Sequence, residues 1–447
     1  MVRLSVLAFV LVALIAQADD WPQWLGTARD GVWREKGILT KFPKGGPKQL
    51  WRVPLGGGYS GPAVAEGLVY ITDRQLAAGQ SESANPFARS KSMGKERIVA
   101  LDAKTGKEVW KHEYDSKYTM SYPAGPRATP VVQDGKVWTI GAMGDIYCLD
   151  AKKGTVLWSK SLIKDYDASV PVWGFAAHLL IDGDNLVTLG SRKAVAIALN
   201  KNTGKEVWKS LELDSMEIGY CPPVIFTFGG KRQLIIWHPE SVNGLDPANG
   251  KRLWSYEWNI QANLTVPTPR QVGDKLFLTA FYNGSRMLQV TADGVKELWR
   301  SKGRNEQDTQ ALHSIMPTPF IEGKVAYGVC SYGQLRAIDI EDGGKRLWED
   351  YTATGAVKPE RWANAFLTPN EDRYFLFNEK GDLIIATLSP TGYKEIDKAH
   401  LIEPTGILAG GKMGGGRVVV WSHPAYAYRT IYVRNDKEIA AFSLAAD

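Results

Sequence analysis

Short apolar runs alternate with turn residues along nearly the whole chain, and the alternation repeats. Ile98-Val-Ala-Leu101 and Val109-Trp110 frame the polar stretch Asp102-Ala-Lys-Thr-Gly-Lys107. Runs of this kind, bounded by Asp, Thr and Gly, predict two short strands joined by a tight turn. In that turn Asp accepts backbone N–H groups and Gly takes positive φ. The block returns at Ile146–Trp158, Ala196–Trp208, Val242–Trp254 and Leu335–Trp348, with a looser copy at Met287–Trp299. Its tryptophans, at 110, 158, 208, 254, 299 and 348, fall 45 to 50 residues apart. A strand-rich repeat of that period predicts a β-propeller. Each Trp then starts an outer strand and wedges against the next blade, a structural role that buries a large ring and needs a partner for its N–H.

Two further copies are less regular. Aligning Thr391-Gly392 with Thr105-Gly106 places Ile396 at the Trp position. Lys437–Leu444 reads as a strand with no strand after it, while Leu50–Leu55 lacks one before it. Pairing the two closes the ring and hides both edges. The count is then eight blades; a seven-bladed ring would have to discard Trp51 or the Ile396 copy. The organisation expected is a signal peptide over 1–18, a lead-in segment over 19–48, and one propeller over 49–447 closed by its N- and C-terminal strands.

The pattern Asp-x-x-Thr-Gly-x-x-x-Trp, preceded by Ala-Leu, resembles the pyrroloquinoline-quinone (PQQ) propeller repeat over about residues 50 to 444. Asp20-Trp-Pro-Gln-Trp-Leu-Gly26 with Arg29-Asp-Gly-Val32 is similar to the opening of secreted bacterial PQQ-like propellers. The resemblance implies an all-β fold, an eight-bladed β-propeller of PQQ-like (quinoprotein-type) repeats. It implies two kinds of function, because fold alone does not choose between them. One is that of quinoprotein dehydrogenases, which hold PQQ with calcium and use an Asp as base. The other is non-catalytic binding, as in an outer-membrane assembly lipoprotein. The adjacent Cys pair of some quinoprotein alcohol dehydrogenases and a haem-attachment Cys-x-x-Cys-His are both missing from the sequence.

Composition narrows the setting. Arg3, the apolar run Leu4–Ile15 and Ala16-Gln-Ala18 form a secretory signal with a small-x-small cleavage site, and the run is too short to span a bilayer. No Cys follows it, so neither a lipid anchor nor a membrane span is expected, and the mature chain is placed outside the cytoplasm, periplasmic or secreted. Cys148, Cys221 and Cys330 are scattered and form no disulfide framework or zinc spacing. The net charge of +6 is mild for 447 residues and no dense basic run exists, which leaves nucleic-acid binding without support.

In a propeller, connections alternate between the two faces. The repeat turns make one face plain. The links from each outer strand to the next inner strand, such as Asp115–Arg127, Ser161–Phe175, Ser301–Ser314, Thr352–Trp362 and Pro404–Gly416, make the other elaborate. Arg74–Glu96, Ser-, Ala- and Gly-rich without periodicity, is expected to be a mobile insertion on that same face. Residues at the ends of these links should meet around a central funnel. Arg127, Trp173, His313, Arg361, Trp362 and Arg417 are the candidate ligand-binding residues, with Tyr59, Tyr220, Thr265 and Lys412 nearby. Arginines that grip carboxylates and tryptophans that stack on rings suit a flat anion such as PQQ. Calcium needs six to eight oxygens, for which Asp165, Asp167, Glu217, Asn263, Glu306, Asp308, Glu360 and Asn364 are candidates; none falls in a family motif, so no catalytic residue or metal ligand is assigned. The leading expectation is a non-catalytic module that binds a protein, glycan or small anionic ligand through the long-loop face. The alternative is a PQQ-dependent alcohol or sugar dehydrogenase.

Overall fold

The repeat turn and the repeat tryptophan are shaped to fit each other. In the computed structural model, which describes residues 19–408 and 416–446, Asp102 Oδ1 accepts the N–H groups of Lys104 (3.2 Å) and Thr105 (2.8 Å). Gly106 then turns the chain at φ +70°. Gly154, Gly204 and Gly250 do the same at φ +68° to +74°. The Trp of the preceding blade lies against each glycine: a Cβ on Gly106 would stand 2.7 Å from the Trp51 ring, and one on Gly204 2.7 Å from Trp158. The indole N–H reaches a carbonyl of the same turn, from Trp51 to Ala103 (2.9 Å), Trp110 to Ala151 (2.8 Å), Trp158 to Lys201 (2.9 Å) and Trp299 to Ile340 (2.8 Å). Trp254 is the exception. The turn that follows it, between Val290 and Val295, is of another kind, and its indole donates to Gln233 Oε1 of its own blade (2.5 Å).

Among the described residues, eight four-stranded antiparallel sheets follow one another in chain order. Blade I is Ala63–Ala65, Leu68–Leu76, Met93–Asp102 and Glu108–Lys117. The inner strands of blades II to VII begin at Val131, Leu180, Val224, Arg270, Phe320 and Ala365. Blade VIII combines Ala425–Ala427, Thr430–Arg434 and Glu438–Ser443 with Gln49–Pro54, Trp51 standing opposite Ala441. The chain is therefore an eight-bladed β-propeller. Its core lies between blades, where apolar residues of neighbouring sheets form shared clusters. No helix among the described residues is long and apolar enough to cross a membrane. The secretory signal expected at 1–18 and the residues around Lys412 lie outside the described residues.

Two sequence expectations need correction. In blade I, Ala100 pairs with Trp110 and Leu101 with Glu108, so a bulge falls on Val109. In blade VII, Ile385 pairs with Asp397 and Ala386 with Glu395, so the bulge falls on Ile396. Asp397, not Ile396, takes the Trp position. The cause is the turn: Ser389 pairs directly with Gly392, a tighter reversal than Asp102–Lys107, which shifts the alignment by one residue. The insertion Arg74–Glu96 is also not structureless. Its two ends are strand, with Arg74 paired to Glu96 in register, both buried. Arg74 Nη1 bonds Glu82 (2.7 Å) and the Pro123 carbonyl (2.9 Å), which pins the loop against the link into blade II.

The lead-in segment stops the central channel on the plain face. Trp21 bridges to Val64 of blade I and Ile38 to Ala445 beyond blade VIII. Between them, Trp24 stacks on His178 (4.4 Å, 8° between planes), meets the edge of His423 (4.3 Å) and donates to Thr268 Oγ1 (3.0 Å). These partners belong to the links into blades III, VIII and V. Groups so far apart around the ring meet only near its axis, so Trp24 closes the channel there.

Candidate functional site

With the plain face closed, the links on the other face enclose a blind funnel of about 330 Å³. All eight links reach it: Tyr59 between blades VIII and I, Tyr122 and Arg127 between I and II, then Trp173, Tyr220, Leu264, Met316, Arg361 with Trp362, and Trp421 in ring order. Phe87 of the insertion and Tyr282 of blade V complete the wall. The rings contact one another, Phe87 edge-on to Tyr122 (5.0 Å) and near Trp362 (5.8 Å), Tyr122 near Trp421 (5.8 Å). Among the described residues, no carboxylate lines the cavity.

Of the six candidate residues, the fold brings Arg127, Trp173, Arg361 and Trp362 together on this wall. Arg127 lies over the Tyr59 ring (5.1 Å to its centre) and donates to the carbonyls of Ser121 (3.1 Å), Tyr122 and Gly125. No ion pair joins it to a described carboxylate. Burial lowers its pKa, and the charges around it, buried Glu96 among them, offset that only in part. Arg361 is different: it pairs with Glu306 (2.8 Å), lies over the Trp362 ring (4.4 Å to its centre) and donates to Tyr282 Oη (3.2 Å).

His313 and Arg417 stand outside the cavity wall. His313 is buried, its Nδ1 2.8 Å from the Phe281 carbonyl, and burial pushes its pKa down to about 4, so it is a neutral packing residue and not a cation of the mouth. Arg417 does not begin an inner strand. It sits in a small hairpin, Gly406–Leu408 with Arg417–Val419, while the inner strand of blade VIII starts at Ala425. From there it pairs with buried Glu379 (2.8 Å) and donates to the Arg361 carbonyl (2.9 Å), bracing the loop that carries Arg361 and Trp362.

Sequence reasoning missed Phe87, Tyr122, Tyr282 and Trp421. A usable signal existed for one of them: Tyr122 precedes Pro123 within the link Asp115–Arg127, already marked as long, whereas Trp421 lies beyond the link marked as Pro404–Gly416. Two histidines far apart in sequence, His178 and His423, also come together near the axis. In the fold both meet Thr129, whose N–H donates to His178 Nδ1 (2.9 Å) and whose Oγ1 lies 2.7 Å from His423 Nε2. Burial holds His178 far below the usual imidazole range and His423 at about 3.

The fit of PQQ with calcium can be tested on this wall. Flat rings and Arg127 suit a planar carboxylate. The calcium side does not fit: Glu217 is taken by Tyr220 and the Val172 N–H, Glu306 by Arg361, and Glu360 by Lys380. Among the described residues no three His, Cys, Asp or Glu side chains converge to hold a metal.

Comparison with known proteins agrees with the repeat pattern. The family model PQQ_2, described as outer membrane protein assembly factor BamB, matches residues 94–302. The chain is a β-propeller of PQQ-like repeats. Among curated relatives, the quinoprotein alcohol dehydrogenase PedH of Pseudomonas putida is 29% identical over 29% of this chain and 22% of its own length. The outer membrane protein assembly factor BamB of Burkholderia pseudomallei is 22% identical over 52% of this chain and 58% of its own. The quinohemoprotein alcohol dehydrogenase ADH-IIG of Pseudomonas putida is 25% identical over 70% of this chain and 43% of its own. This PQQ-like propeller thus spans less than two thirds of each of these relatives. Solved structures share the fold: BamB from Moraxella catarrhalis superposes with a TM-score of 0.58 at 13% identity, covering 89% of this chain and 99% of that one. A europium-containing methanol dehydrogenase gives 0.60 at 14% identity, covering 95% and 89%.

Proposed function

We propose that this chain is a non-catalytic, extracytoplasmic binding module whose long-loop funnel takes a flat anionic group, either a small ligand or a group presented by a partner. The observation that carries the reading is the blind funnel: aromatic residues from six of the eight links and, among the described residues, no ion pair to Arg127 and no lining carboxylate. Aromatic faces and a guanidinium held in place by carbonyls are preorganised for a planar ring that bears negative charge. Likeness to assembly factors supports binding without chemistry. Likeness to alcohol dehydrogenases supports a second reading, a quinoprotein oxidoreductase, but the donor set for calcium is the part of that machinery that the residues do not fit.

The test is titration of the purified protein with PQQ, with and without calcium, following Trp fluorescence and dye reduction with alcohols and sugars. The module reading expects quenching from the funnel tryptophans that needs no calcium, and no dye reduction. Calcium-dependent dye reduction would establish the oxidoreductase. Quenching that survives unchanged in Trp362→Ala would place the ligand elsewhere.

A further inference from the structure

The plain face carries a second and larger cavity that the funnel reading does not use. It measures about 610 Å³ and lies between residues 28–30 of the lead-in segment and the inner strands of blades III to VI. Its walls combine apolar residues, among them Leu180, Ile181, Val224, Ile225, Phe226 and Phe320, with polar and charged ones. Three arginines line it, and two of them, Arg29 and Arg270, are held by neutral acceptors. Arg29 donates to Gln23 Oε1 (3.1 Å) and to the carbonyls of Leu179 (3.0 Å) and Pro223 (3.2 Å). Arg270 donates to the carbonyls of Pro319 (2.8 Å) and Asp30 (3.0 Å).

The carboxylates at this cavity already have partners other than Arg29 and Arg270. Asp182 pairs with Arg232, and Asp30 is bonded to Arg34 and the Val32 N–H. Neither Arg29 nor Arg270 makes an ion pair with a described carboxylate, and the Nε of Arg29 is buried without an acceptor. Burial lowers both guanidinium pKa values to about 10; the charge of Asp30 offsets this in part for Arg270, while nothing offsets it for Arg29. Cations withdrawn from water and held only by carbonyls gain strongly from an anion, and the carbonyl cradle keeps their geometry fixed.

We propose that this crevice binds a carboxylate attached to an apolar body, the carboxylate on Arg29 and Arg270 and the body along the walls of blades III to VI. A bare inorganic anion would leave those walls wet, and a neutral apolar molecule would leave the cations unpaired. A free organic acid and a peptide chain end share this chemistry.

The test is calorimetric titration of the whole protein with octanoate, octanol, inorganic phosphate, and acetyl-Leu-Phe as free acid and as amide. Saturable 1:1 binding of octanoate points to a free acid as source, and binding of the peptide acid to a chain end; each supports the site, with the neutral counterpart about tenfold weaker or worse for loss of a charge-assisted contact. Thr227→Glu places a competing carboxylate at the exposed rim, and Arg270→Gln removes one cation. Each should weaken binding about tenfold, while Trp362→Ala in the funnel leaves it unchanged. The proposal is overturned if neither acid binds, if octanol and the amide bind as well as the acids, or if both Thr227→Glu and Arg270→Gln bind like the parent.

Discussion

At the scale of single residues, the repeat can be tested through its glycines. Gly204 and Gly135 both sit at φ +68°, yet a Cβ on Gly204 would strike the Trp158 ring at 2.7 Å and one on Gly135 would meet nothing within 4 Å. Both Ala variants carry the cost of the left-handed conformation, about 1 kcal/mol. Gly204→Ala must also push Trp158 off its carbonyl, so denaturant melts should show it clearly less stable than Gly135→Ala. Equal losses would mean that the indole and the turn do not constrain each other. Trp158→Ala itself should cost about 3–5 kcal/mol, in line with large aromatic truncations in cores. The axial histidines give a pH signature. The folded pKa of His423, about 3, lies below its unfolded value. The unfolded chain therefore takes up a proton as pH falls through about 6.5 while the native one does not, and stability is lost in that direction. His178 adds to the same trend, with Arg29 nearby opposing its charge. Buried Glu96 and Glu379, whose pKa values are raised, act in the opposite sense. Comparison with a variant isolates the His term: in His423→Gln, the stability lost between pH 7 and pH 5 should shrink by about 2 kcal/mol. An unchanged pH slope would mean that His423 titrates normally.

At the scale of elements, what the sequence made legible follows local chemistry. Asp, Gly and Trp recur because one turn, one positive φ and one indole recur, so the blades with that turn could be counted directly. Blade VII slipped by one residue because its tight Ser389–Gly392 turn obeys a different local rule, and no hydrophobic pattern reveals a bulge. The lead-in segment was invisible as a stopper because its partners, His178, Thr268 and His423, are distant in sequence and carry no periodicity. The same reason explains the site. Positions at the ends of links could be proposed, and four of the six candidates do line one cavity. Whether a side chain points inward, as Trp362 does, or into the blade, as His313 does, depends on loop geometry that residue types do not encode. The closing strand tests the ring. Removing Lys41–Leu55 strips Gln49–Pro54 from blade VIII, leaving Glu438–Ser443 as an unpaired edge and the Gly106 turn without Trp51. Exposed edges recruit other chains, so size-exclusion chromatography should show little soluble monomer. A stable monomer with the parent melting temperature would show that the ring does not need this strand.

At the scale of the whole molecule, the charge that the funnel offers to a ligand is set by pairing more than by the number of arginines. Arg361 is balanced by Glu306, and Arg417 behind it by Glu379, whereas Arg127 is held by carbonyls and the Tyr59 ring without an ion pair to a described carboxylate. The mild net charge of +6 therefore conceals one poorly compensated cation in a concave, aromatic, low-polarity wall, where a field is screened less than at an open surface. Arg127→Gln should weaken a flat anionic ligand about tenfold, the loss of one charge-assisted contact, and should flatten the dependence of affinity on salt. Arg361→Gln should weaken it as well, but for another reason: it leaves Glu306 unpaired beside the cavity, where it repels the anion. Adding Glu306→Gln to Arg361→Gln removes that repulsion and should return most of the affinity, although the double variant has one arginine fewer. Titrations of PQQ at low and high salt across the four proteins would decide it. If the double variant binds no better than Arg361→Gln alone, the Arg361 guanidinium itself contacts the ligand, and the funnel presents two working cations instead of one.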